Sequence, residues 1–204
     1  MKKILVLIIC INYSVCWPQK AGEFVIPTGI AALSFVAINS EKKEIAKEIS
    51  QFRSKEFIIN NIIGNVSQRD VSFETESLAS DDSAGLISVA FNCSEVNKKG
   101  LLLAFLGNNR DSNGSIGLAY GFKYIPLVDA QNLFKRIDAL KEKHKKYLNA
   151  ENDVNNIYIE HDDLKFILYR DGGDKVRVLW NGFEVIWERT AFDRTKRRLD
   201  RWFE

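Results

Sequence analysis

The chain has 204 residues, with 46% hydrophobic and 27% charged side chains, enough apolar content for a packed core and too much for a disordered chain. Lys and Arg number 29 against 27 for Asp and Glu. Setting aside Lys2 and Lys3 in the N-terminal segment leaves the charge balanced, so composition gives no electrostatic case for nucleic acid or an anionic membrane surface.

The first residues have the three parts of a secretory signal: Lys2-Lys3, the apolar run Ile4 to Ile11, and Ser14-Val15-Cys16 as a cleavage site. Residues 1–16 are therefore expected to leave, placing the mature protein, from Trp17, in the periplasm or outside the cell. Neither Cys10 nor Cys16 follows a small residue, which argues against lipidation. A second uncharged stretch, Phe24 to Ile38, contains Pro27 and Gly29 and is shorter than the ~20 residues of a membrane span. It reads as a buried strand or core helix. The alternative joins it to Ile4–Trp17 in a membrane hairpin, with Lys42, Lys43 and Lys47 on the cytoplasmic side of an inner-membrane anchor. On either reading only the N-terminal segment meets the membrane. Cys93 would remain as a lone buried thiol.

Residues 17–56 combine this apolar segment with an amphipathic helix, Glu41 to Lys55, whose stripe is Ile45, Ile49 and Phe52. Residues 57–150 form a β-rich region with expected strands at Phe57–Ile63, Val66–Glu74, Leu86–Cys93, Leu101–Leu106 and Ile116–Tyr124. Turn-like segments, among them Ser80 to Ser83, separate them. In the last strand Ile116, Leu118, Tyr120, Phe122 and Tyr124 make one large apolar face, and Gly117, Ala119 and Gly121 make the other nearly bare. Pro126 introduces a long helix to Leu148, with Ala130, Leu133, Ile137, Leu140 and His144 on its stripe.

Residues 151–204 are read as a four-strand antiparallel meander and a short helix, the whole of 57–204 forming one α+β unit. Asn181-Gly182 is a two-residue turn that pairs Trp180 with Phe183, Val178 with Val185 and Val176 with Trp187. Asp171 to Asp174 closes an earlier hairpin, with Tyr169 opposite Val176 and Ile167 opposite Val178. Each face of the meander is then apolar: one carries Ile167, Tyr169, Val176, Trp180, Phe183 and Trp187, and the other Leu164, Phe166, Leu168, Leu179 and Ile186. His161 to Leu164 turns the chain back to Ile157. Thr190 to Asp193 has the form of a capping box, opening a helix with Phe192, Leu199, Trp202 and Phe203 on its stripe.

Candidate chemistry is sparse. Asn109, Asp111, Asn113 and Gly114 resemble the front of a calcium loop, yet Tyr120 stands where a bidentate glutamate belongs; the same residues make a plain hairpin loop. His161, Asp162 and Asp163, with His144, are the candidates for acid/base work in a small hydrolase, although adjacent aspartates also mark a turn. The basic runs Lys143–Lys146 and Arg194–Arg198 lie on polar helix faces. No cofactor motif is present. The sequence thus favours a non-enzymatic binding or interaction module with a protein or glycan partner in the cell envelope. Trp180, Phe183 and Trp187 are its candidate anchors wherever the meander is left uncovered.

Overall fold

A computed structural model describes residues 23–27, 43–64, 70–81, 85–110, 113–149 and 154–204. The expected signal segment 1–16 and most of Phe24–Ile38 lie outside these residues. Among the described residues, no helix is long and apolar enough to cross a membrane.

Nine described strands form one antiparallel sheet: β1 (Glu23–Pro27), β2 (Glu74–Asp81), β3 (Leu86–Cys93), β4 (Lys98–Arg110), β5 (Ile116–Pro126), β6 (Ile157–His161), β7 (Leu164–Arg170), β8 (Asp174–Trp180) and β9 (Phe183–Glu188). The order β1-β5-β4-β9-β8-β7-β6 places the C-terminal meander at one end, and β3 with β2 branches from β4. The branch arises because β4 is long. Its first part pairs with β3, while Asn109 near its end pairs with Phe183 of β9. At Gly85 the φ angle is +75° and a Cβ would lie 2.0 Å from the Leu106 carbonyl oxygen, so only glycine lets the chain enter β3 this close to β4.

The expected α+β class with its meander, long central helix and C-terminal helix is the observed architecture. The first helix differs most from expectation. Residues 43–63 are continuously helical, so Phe57–Ile63 is helix where β-branched composition suggested a strand. We call this helix α1; Ile49–Arg53 and Ile58–Ile63 within it are π-helical. The wider π turn steps the buried stripe by five, from Ile49 to Ser54, whose N–H and hydroxyl both bond the Ile49 carbonyl. Phe52, on the expected stripe, is consequently 66% exposed, while Phe57 and Ile58 are buried. Val66–Glu74 is likewise not a strand over its described part, since β2 begins at Glu74.

Helix α2 (Leu127–Lys143) ends before the expected Leu148. The chain turns there because the Tyr147 carbonyl accepts from Asn155 and Arg170 donates to Asn149. Helix α3 spans Arg189–Phe203; Glu188 is its N-cap residue, without a side-chain cap bond, so Thr190 lies inside the helix.

Within the meander Asn181 and Gly182 have φ of 43° and 82°, as the two-residue turn requires, and all three expected pairs form. The Asp171 hairpin is shifted by one residue: Leu168 opposes Val176 and Phe166 opposes Val178. Gly172 and Gly173 both adopt positive φ, making Asp171–Gly173 a three-residue loop. A one-residue slip exchanges faces. Leu164, Phe166 and Leu168 therefore join Val176, Val178, Trp180, Phe183, Val185 and Trp187 on a single inner face, all buried.

That inner face, α2, α3 and one face of β3–β4 share the larger core. Phe105 of β4 lies 4.9 Å from Trp180, and Ser88 of β3 hydrogen-bonds Thr195 of α3 at 2.7 Å in the interior. A second core lies on the opposite side of β3, β4 and β5, where α1 covers Ile87, Phe91, Leu102, Leu106, Tyr120 and Phe122.

Candidate functional site

Trp180, Phe183 and Trp187 are 2%, 2% and 1% exposed. The cover whose absence would have made them anchors is supplied by α2, α3 and β4, and the rings pack on Phe105, Phe134 and Phe192. Their rings belong to the core.

The acid/base candidates are also drawn into structural roles. Asp163, in the β6–β7 turn, accepts the Trp180 indole N–H at 2.7 Å and pairs with Lys123 of β5, clamping the meander to the rest of the sheet. Asp162 takes the positive φ of that turn, 51°. His161 Nε2 is buried with no hydrogen-bond partner among the described residues. His144 closes α2, its N–H bonding the Leu140 carbonyl at 3.0 Å. Among the described residues, no three His, Cys, Asp or Glu side chains gather as a metal site. In the calcium-like loop, Asn109 donates to the Asn181 carbonyl at 2.7 Å and so braces the β8–β9 turn. Asn113 lies in the β4–β5 connection, and Asp111 is outside the described residues. Cys93 is buried and free.

A concavity of about 200 Å³ lies elsewhere, between α1 and β5. The helical continuation of α1 through residue 63 brings Arg53, Glu56, Phe57, Asn60 and Asn61 to the face that overhangs the strand. Tyr120 and Phe122 of β5 supply the opposite wall. Phe57 and Phe122 pack with centroids 5.0 Å apart, and Tyr120 meets Phe122 edge-on at 5.9 Å, giving an apolar floor. Polar groups rim it. Arg53 bridges Glu48 at 2.7 Å and Glu56 at 3.1 Å. Asn61 donates to the Phe57 carbonyl at 3.1 Å, leaving its amide oxygen as an acceptor.

Burial pushes the Tyr120 phenol above its ordinary pKa; Arg53 pulls the other way, and Glu48 and Glu56 add to the rise. The phenol thus stays protonated at neutral pH and serves the cleft as a hydrogen-bonding group, not as a base. The bond to Glu56 raises the Arg53 pKa further, so the guanidinium is permanently charged. In the sequence Tyr120 and Phe122 stand out as a strand face, and Tyr120 also as the residue that spoils the calcium-like loop; nothing there joins the α1 residues to them. The missing step was the helical continuation past Lys55. No known family model, curated protein or solved structure matches the chain.

Proposed function

We propose that this chain is an exported, non-enzymatic binding module that holds one residue of an envelope glycan in the cleft between α1 and β5. Export rests on the sequence pattern Lys2-Lys3, Ile4–Ile11 and Ser14–Cys16. The binding reading rests on one observation: planar polar side chains, Arg53, Glu56, Asn60 and Asn61, surround an aromatic floor of Phe57 and Phe122 with the Tyr120 hydroxyl beside it. A sugar ring has the complementary chemistry, an apolar C–H face and a girdle of hydroxyls that both donate and accept. Amides, a carboxylate and a guanidinium supply the matching acceptors and donors.

Saturation-transfer NMR with a panel of neutral and N-acetylated monosaccharides tests this on the folded chain. Transfer to ring protons of at least one sugar is expected. Tyr120→Phe and Asn60→Ala should each weaken that binding roughly three- to tenfold, the worth of one hydrogen bond. Absence of transfer from every sugar, or affinity unchanged in both variants, would refute the assignment.

A further inference from the structure

A second cleft, of about 350 Å³, opens where the end of α2, the β7–β8 hairpin and the first residue of α3 converge. Its lining carries Lys141, Lys145, Arg170 and Arg189 against Glu142 and Asp174. The outer cations are loosely held: Lys145 lies 3.7 Å from Glu142 and Arg189 lies 3.7 Å from Asp193, both in exposed pairs that contribute little to stability. Arg170 donates to Asn149 at 3.0 Å.

Lys141 is different. Its ammonium sits 4.5 Å over the Phe192 ring, and among the described residues it has neither a carboxylate within ion-pair distance nor a hydrogen-bond acceptor. Two of the acids that act on it are engaged by other bases, Asp138 by Lys196 at 2.5 Å and Asp193 by Arg189, while Asp174, in the lining itself, acts on it most strongly without forming an ion pair. A ring face recovers part of what a withdrawn cation loses, but it cannot accept three N–H bonds as water or an anion would.

We propose that this cleft is a phosphoryl-binding site, with the Lys141 ammonium as its anchor and Lys145 and Arg189 closing on the anion from the rim. The excess of cations over acids in the lining suits a dianion, and oxygens of a tetrahedral phosphoryl group supply acceptors that no described side chain gives the half-buried Lys141. Burial holds the Lys141 pKa below the ordinary lysine value against the pull of Asp174, Asp138 and Asp193, with Lys196 adding to the depression. A bound anion would reverse that shift. This site is separate from the α1–β5 cleft and does not depend on the glycan reading.

The test is calorimetric titration of the folded chain with inorganic phosphate, chloride keeping the ionic strength constant. Phosphate binding that falls at least about tenfold in Lys141→Met, and persists in Lys143→Gln on the same helix, is the expected result. Arg189→Gln, at a solvent-exposed position that tolerates replacement, should weaken binding severalfold and serves if Lys141→Met does not fold. Sedimentation with vesicles containing phosphatidic acid separates the sources. Lys141-dependent capture identifies a lipid headgroup, and titratable binding of free phosphate without capture identifies a soluble ester. Equal heats in phosphate and chloride, or equal affinity in wild type, Lys141→Met and Arg189→Gln, would overturn the proposal.

Discussion

Replacing Trp187 by alanine removes the ring on which both core helices lean. The indole is 1% exposed and meets Phe134 of α2 at 5.8 Å and Phe192 of α3 at 5.2 Å, both nearly edge-to-face. Its backbone is tied into β9 opposite Val176, so the strand cannot move inward to fill the space. Truncating a buried Trp under such restraint costs ~3–5 kcal/mol. Each of the two ring pairs accounts for about 0.5–1.5 kcal/mol of this beyond burial of area. For a chain of this length that lowers the melting midpoint by roughly 6–20 °C. Urea unfolding followed by circular dichroism measures it without relying on the lost fluorophore. A double-mutant cycle with Phe192→Leu should return a coupling of about 0.5–1.5 kcal/mol. A loss below about 1 kcal/mol with an unchanged m-value would mean that the ring is not core, and the account of the inner meander face would fail with it.

Three further outcomes follow from the same contacts. Asp163→Ala strands the Trp180 indole N–H and the Lys123 ammonium, at a cost of about 1–3 kcal/mol in urea unfolding; wild-type stability would remove Asp163 from its clamping role. Because the Lys141 pKa is lowered in the folded state, the unfolded chain binds more protons between that value and the ~10.4 of a free lysine. Wild-type stability relative to Lys141→Met should therefore rise with pH across that window; the difference between the two proteins isolates this slope from the opposite one of Tyr120 and Tyr124, whose pKa values are raised. Cys93, 0% exposed, should react with a thiol reagent only after denaturation, and rapid labelling of the native protein would contradict its burial.

What the sequence made legible was local. The Asn181-Gly182 turn dictates its own dihedral angles, and once those are set the pairs out to Val176–Trp187 follow by counting. The Asp171 hairpin obeyed a weaker rule. With two glycines in Asp171-Gly-Gly-Asp174, two- and three-residue loops are both open to the backbone, and the choice is made by which face can be covered. The three-residue loop puts Leu164, Phe166 and Leu168 beneath the helices and leaves half-buried Ile167 on the outside, where Lys165 and Arg177 flank it. The alternative register would have withdrawn Lys165 instead of Leu164. Apolar pattern alone did not reveal this, because a run such as Leu-Lys-Phe-Ile-Leu-Tyr has apolar residues at both parities.

The same limit explains why the clefts were not visible. Phe57-Ile-Ile-Asn-Asn-Ile-Ile63 has the composition of a strand, and nothing local contradicts that reading. It is helical because, as helix, it buries Phe57 and Ile58 on β4 and β5 while Ile59 remains 47% exposed, a gain that exists only after the sheet has formed. Only in that state do Arg53, Asn60 and Asn61 share a face and meet Tyr120, far downstream in the chain. Lys141 is a parallel case. In sequence it is one cation in a lysine-rich helical turn, but the docking of Phe192 from α3 covers it and the pairing of Asp138 with Lys196 removes its nearest helical neighbour of opposite charge. Both candidate sites are therefore products of tertiary convergence. Substitutions at their polar lining residues should alter ligand binding more than folding, in contrast to Trp187 and Asp163, where folding is what the side chain serves.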